Sequence, residues 1–204
     1  MSIVSTTDNS LTPCMSATTD AIVLSLQPHS DKAFVVHAYT RAGGRINYMV
    51  YGLGRKNAAG MYTPLSLLQI TTDKTSIRTA QLAFVPTSIT TDPYKRTIAL
   101  FLSEVLYHIL RHPMQDEPMF DFIAEAVQTL DQTKEPQNFH LQFLIGLAAK
   151  LGFGIPETST LLTSNPLTRV ERQKSLRDVC AYFAEHVETW QEPKSLDILM
   201  EVFD

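Results

Sequence analysis

No glutamate precedes Glu104 in this chain of 204 residues. Up to Thr90 the charged residues are few and lean basic, with seven Lys or Arg against four Asp or Glu, a balance of +3. From Thr91 to Asp204, ten basic residues face seventeen acidic ones, a balance of −7. The net charge of −4 therefore covers two unlike modules. The first is suited electrostatically to a polyanion. Cysteine is as scarce as early glutamate. Cys14 and Cys180 stand far apart in different modules, which excludes a disulfide framework and a multi-cysteine zinc site. Long apolar runs are also missing, and none reaches the ~18 residues of a membrane helix. No basic stretch followed by an apolar one opens the chain, so no secretory signal is expected. These absences predict a soluble protein of the reducing cytoplasm.

What is present divides in the same way. Residues 1–17 are rich in Ser and Thr without apolar period and read as a mobile arm. Five strands are expected next: Ala21–Leu26, Ala33–Tyr39, Arg45–Tyr51, Leu65–Ile70 and Ile77–Val85. Turn chemistry separates the first four, at Pro28-His29-Ser30, at Gly43-Gly44, and from Gly52 to Gly60. The third strand alternates. Ile46, Tyr48 and Val50 share one face, and Arg45, Asn47, Met49 and Tyr51 share the other. Five short strands in roughly 70 residues suit a small barrel of the OB type. Asp92-Pro93 then carries a helix start, with Asp as cap and Pro at the first helical position. Ile98, Phe101, Leu102, Val105, Leu106 and Ile109 form its apolar stripe. Further helices are expected from Glu117-Pro118, from Asn138 to Leu151, from Pro166 to Glu188 and over Ser195–Phe203. The third of the five, apolar nearly all round, should be central. The fold class expected is α+β: an OB-like β-barrel over 18–90, then an all-α domain over 91–204.

Four groups of residues could carry function. Lys32, Arg41, Arg45, Arg55, Lys56, Lys74 and Arg78 are the cations of the barrel. Lining one groove, they would hold DNA phosphates, with Tyr48, Tyr51 and Tyr62 available to stack bases. Tyr48 shares a face with Ile46 and Val50 and so reads as core rather than platform. Glu104, His108 and His112 recur at four-residue spacing, which allows a metal site or a polar helix face. A metal-dependent enzyme is the alternative attached to that triplet. Arg169, Arg172, Lys174 and Arg177 spread over more than half of their helix, offset by Glu171, Asp178, Glu185 and Glu188. This pattern favours a solvated face. Phe139, Phe143, Leu144 and Leu147 could form a peptide groove beside Lys150, although core packing is the simpler expectation. No Walker loop or nucleophile signature is framed anywhere. Cys180 reads as a small buried hydrophobe.

The order of motifs resembles a known family. Thr40, Gly44-Arg45, Gly52 with Arg55-Lys56, and Pro64-Leu65-Ser66-Leu67-Leu68 resemble the N-terminal domain of the bacterial recombination mediator RecO. Thr91-Asp92-Pro93 leading to Leu100–Leu106 is similar to that family's first long helix. Pro118–Phe122, Asn138-Phe139 with Phe143, Leu151-Gly152-Phe153 and Lys194–Leu199 follow at similar intervals. There are departures. The segment Ile155–Asn165 is short and has no Cys, so the four-cysteine zinc module of some relatives is not carried over. The basic loop after Gly52 is thin. Gln142 stands where many relatives have an Arg that helps receive an acidic peptide tail.

The resemblance implies a non-enzymatic mediator of DNA repair and recombination with no cofactor. It implies binding of single- and double-stranded DNA, strand annealing, and assistance in loading RecA on coated single strands. RecR and the acidic C-terminal tail of single-stranded DNA-binding protein are the implied partners, and no membrane is. The location implied is cytoplasmic, at the nucleoid. Arg45, Arg55 and Lys56 match the motif positions for DNA, and Arg111 and Lys150 are the candidate cations for the tail. The other alternative is a protein-interaction adaptor with an OB-like barrel and little DNA affinity.

Overall fold

A computed structural model of the chain describes residues 17–52, 59–155 and 167–202. Five strands come first: β1 (Ala17–Ser30), β2 (Ala33–Thr40), β3 (Gly44–Tyr51), β4 (Leu67–Asp73) and β5 (Ser76–Leu82). They close a barrel in the order β1-β2-β3-β5-β4. All neighbours are antiparallel except β3 and β5, which meet in parallel at Met49 and Ser76. This is an OB-like barrel. The first strand is longer than its apolar run, because Pro28 is absorbed at an irregularity in the ladder. The turn to β2 is therefore Asp31-Lys32 rather than Pro28–Ser30. β4 starts two residues late because Leu65 is held at φ 61 in a tight turn.

Strand β1 explains how the two halves join. Its residues Ala21–Leu24 are all buried. Period two sends Ala21 and Val23 into the barrel, where they meet Val36, Tyr48, Val50 and Ile70. It sends Ile22 and Leu24 outward, into a second core shared with the helices. An unbroken apolar run is what a strand covered on both faces requires. Tyr62 closes a short 3₁₀ turn, Ala59–Tyr62, and packs into the barrel core.

Helices follow in order: α1 (Ser88–Thr91), α2 (Pro93–Ile109), α3 (Glu117–Gln132), α4 (Phe139–Lys150), α5 (Arg169–His186) and α6 (Leu196–Val202). Asp92 caps α2 by accepting from the Tyr94 amide at 2.8 Å, with Pro93 at the first helical position. Asp116 does the same for α3 through the Met119 amide at 3.0 Å. Thr168 and Glu171 form a reciprocal capping box for α5. That helix begins at Arg169, and Pro166 lies outside the described residues. Helix α4 is buried through Phe139, Leu141, Phe143, Leu144 and Leu147. The hub, however, is α2, which packs on β1 and on α1, α3, α4 and α6 at once. The entry to α2 is held by a buried polar knot. The Asp131 carboxylate accepts from the amides of Ser88 and Ile89 at 2.7 and 2.8 Å, and Lys95 reaches the Asp131 carbonyl at 2.8 Å.

Candidate nucleic-acid interface

The ends of the barrel have different surroundings. At one end the β2–β3 turn presses on the connector between α2 and α3. The Arg45 amide donates to the His112 carbonyl at 3.2 Å. Gly44, at φ +65, leaves no room for a side chain, since a Cβ there would lie 2.2 Å from the Met114 carbonyl oxygen. The outer face of β2 and β3 is covered here: Tyr39 stacks on Phe120 and His37 meets the Tyr107 ring edge-on. At the other end three connections converge. The Gly52 amide donates to the Lys32 carbonyl at 3.2 Å, and the Met49 amide to the Thr75 carbonyl at 2.8 Å. Lys32, Tyr51, Gly52 and Lys74 are thereby gathered at the tips of the β1–β2, β3 and β4–β5 elements.

This geometry divides the cations that the sequence grouped together. The expectation of a single groove does not hold for the described members. Arg41 pairs with Asp121 of α3 at 2.8 Å and with Asp20 at 3.4 Å, and lies over the Phe120 ring. Arg45 donates to the carbonyls of Tyr107 and Leu110 at 2.8 and 3.1 Å, with its guanidinium 4.2 Å from the Tyr107 ring centre. Burial pulls the Arg45 pKa below its ordinary value, against the raising effect of the Tyr107 contacts. Both arginines bind the helical half. Lys32, Lys74 and Arg78 stand at the free end. Arg78 bonds Asp73. Lys32 and Lys74 make no salt bridge among the described residues. Lys74 holds a left-handed backbone, φ 45, in the two-residue turn between Asp73 and Ser76. Arg55 and Lys56 lie outside the described residues.

The tyrosines separate as clearly. Tyr48 and Tyr62 are buried in the barrel, and burial raises both phenol pKa values. Tyr51 is 65% exposed. It lies on the outer face with Met49, beyond the part of that face that the helices cover.

Most of the remaining candidates make contacts that serve the fold. Glu104 accepts from the amide and hydroxyl of Ser195 at 2.9 and 2.6 Å, which anchors the start of α6. Among the described residues no three His, Cys, Asp or Glu side chains come together around a point. The triplet at four-residue spacing is thus not a preformed metal site. Arg111 donates through Nε to the His108 carbonyl at 3.0 Å and, more weakly, to Thr189 at 3.4 Å. Together with Arg45 it places positive charge at the C-terminal end of α2, where the helix dipole is negative. Lys150 is exposed in the last turn of α4. Phe139, Phe143, Leu144 and Leu147 are core, so they do not form an open groove. Cys180 is buried, with its thiol pushed up to about 12. No helix among the described residues is long and apolar enough to cross a membrane.

Comparison with known proteins agrees with this architecture. The family model described as Recombination protein O N terminal matches residues 15–86, and Recombination protein O C terminal matches 90–192. A DNA repair protein RecO of Porphyromonas gingivalis is 34% identical over 149 residues, covering 67% of this chain and 60% of that protein. The chain thus spans less than two thirds of that relative. The RecO of Flavobacterium johnsoniae is 29% identical over 236 aligned positions, covering 93% of this chain and 100% of the relative. That of Bacteroides fragilis is 28% identical over 239 positions. Both alignments contain more positions than this chain has residues, so those relatives carry segments that it lacks. Barrel, helical region, motif order and matched relatives agree, and the chain belongs to the RecO family of DNA repair proteins.

Proposed function

We propose that this protein is a non-enzymatic, DNA-binding mediator of recombinational repair that captures strands at the free end of its barrel. The observation that carries this reading is the convergence of Lys32, Lys74 and Arg78 on that end. The sequence adds Arg55 and Lys56 just after Gly52. Phosphate contacts of this kind release counterions and bind without regard to sequence. The same property lets one surface accept single and double strands and bring complements together. Strand annealing and assistance to RecA on coated single strands, in the cytoplasm at the nucleoid, are the roles assigned. RecR and the acidic tail of single-stranded DNA-binding protein are the proposed partners. For the tail, Lys150 is the candidate left of the two, since Arg111 serves its own helix.

A DNA titration at two salt concentrations tests the reading. Binding should weaken steeply with salt. Replacing Lys32, Lys74 and Arg78 together by Ala should flatten the logarithmic salt slope by roughly two units on single strands, at about 0.7 per phosphate contact. A correctly folded chain that binds no DNA would instead leave the protein-interaction adaptor.

A further inference from the structure

We infer that Tyr51 is a base-stacking platform, so that the barrel end binds an unpaired nucleobase as well as phosphates. This rests on the DNA reading above and adds a subsite to it. Of the three tyrosines that could stack a base, Tyr48 and Tyr62 are consumed by the barrel core, and Tyr51 is 65% exposed. A single exposed ring is ordinary on a protein surface; what marks Tyr51 is its place between the basic turns that carry Lys32 and Lys74. Its position is fixed. Tyr51 ends β3 opposite Ala33, in a paired ladder that the Gly52–Lys32 bond continues by one step. The ring therefore stands on a hydrogen-bonded strand rather than on a mobile loop. Its neighbours on the outer face are the pair Val35 and Met49, which prolong an apolar shelf.

Charge on the two flanking turns completes the site. Lys32 is on one turn and Lys74 on the other, with Arg78 behind it on β5. The acidic residues of the same turns are Asp31 and Asp73, the latter engaged by Arg78. Lys74 keeps its place despite a left-handed backbone that costs a non-glycine residue about 1–2 kcal/mol. An aromatic ring flanked by cations is the arrangement that receives a single strand, with phosphates on the charges and one base on the ring. Bases inside a duplex cannot use it. The platform accordingly favours single strands, and it does so without reading sequence.

The test uses the full chain and two labelled strands of equal length, oligothymidine and a backbone of abasic sugars. Both present the same phosphates. By fluorescence anisotropy the native protein should bind oligothymidine about tenfold more tightly, the scale of one stacked base. Tyr51→Ala should lose that advantage while keeping its affinity for the abasic strand, and Tyr51→Phe should retain it. Equal binding of the two strands by the native protein, or a Tyr51→Ala loss equal on both, overturns the inference and leaves phosphate binding standing. Binding of neither strand overturns the DNA reading and the inference together.

Discussion

Replacing Arg45 by Ala separates two accounts of the same residue. Its place in the Gly-Arg motif assigns it to DNA, whereas its contacts assign it to the end of α2. The last turn of a helix has carbonyls without intrahelical partners. In α2 the Leu106 carbonyl is met by the Leu110 amide at 2.8 Å, and the His108 carbonyl by Arg111 at 3.0 Å. Tyr107 and Leu110 are met by Arg45 at 2.8 and 3.1 Å. Removing the guanidinium deletes two charge-assisted bonds and a ring contact. At the low end of about 1.5 kcal/mol per bond, because the site is partly solvated, the loss is roughly 3 kcal/mol. The ring adds about 0.5 kcal/mol or more. At ~2–4 °C per kcal/mol for a chain of this size, the melting midpoint should fall by about 6–12 °C. Arg45→Lys should recover only part of this, since an ammonium has donors for the two carbonyls but no planar face to lay on Tyr107. The assay is thermal unfolding by circular dichroism, paired with DNA binding well below the transition. An unchanged midpoint with several-fold weaker DNA binding would refute the reasoning and return Arg45 to the DNA site.

Three further outcomes are expected. Gly44→Ala should cost on the order of 3 kcal/mol or more in chemical denaturation, because a left-handed backbone and a Cβ 2.2 Å from the Met114 carbonyl both oppose it. Gly52→Ala, at φ +75 but with nothing within 4 Å, should cost only about 1–2 kcal/mol. Acid should destabilise the protein through His140, whose pKa burial, with Arg172 nearby, lowers to about 3. The unfolded chain takes up that proton near pH 6.5 and the folded one does not, so stability falls as pH drops from about 6.5 toward 3, by up to ~1.4 kcal/mol per unit. His37 and His108, also lowered by burial, act in the same direction. Urea midpoints across this range should be less pH-dependent for His140→Leu, and an unchanged slope would count against the assignment.

Much of this fold is legible in the chain because its signals are local. Alternation in β3 places Tyr48 and Val50 inside and Tyr51 outside, as found. Asp92-Pro93 and Glu117-Pro118 mark helix starts that the structure keeps. The candidate site was less legible for a physical reason. Period two distinguishes the inside of a barrel from its outside, but not an outside that meets water from one that meets a helix. Arg45 and Tyr51 share a face of β3, yet one lies under α2 and the other is bare. The signal that could have separated them was in the partner strand. His37 and Tyr39 lie opposite Asn47 and Arg45, whereas Ala33 lies opposite Tyr51. The rings of His37 and Tyr39 lie against Tyr107 and Phe120 of the helical half, which covers that part of the face. Arg111 and Glu104 were illegible for another reason: their partners at Thr189 and Ser195 are distant in sequence, and no local pattern announces such a contact.

The placement of the cations also answers how an acidic protein could hold a polyanion. The helical half carries −7 and would repel DNA brought alongside it. Arg41 and Arg45 sit at that junction, and their charge is spent on Asp121 and on helix carbonyls. Lys32 and Lys74 sit a strand's length away. The eight residues of β2 separate the two ends by about 25 Å at roughly 3.3 Å per residue. In physiological salt, charges are screened over about 8 Å. A strand held at the proposed site would therefore experience the nearby lysines and little of the acidic half. The barrel acts as the spacer: it docks along β1 through Ile22 and Leu24 and at one end through a turn that only Gly44 allows, which leaves the opposite end, with its basic tips, at a distance from that junction.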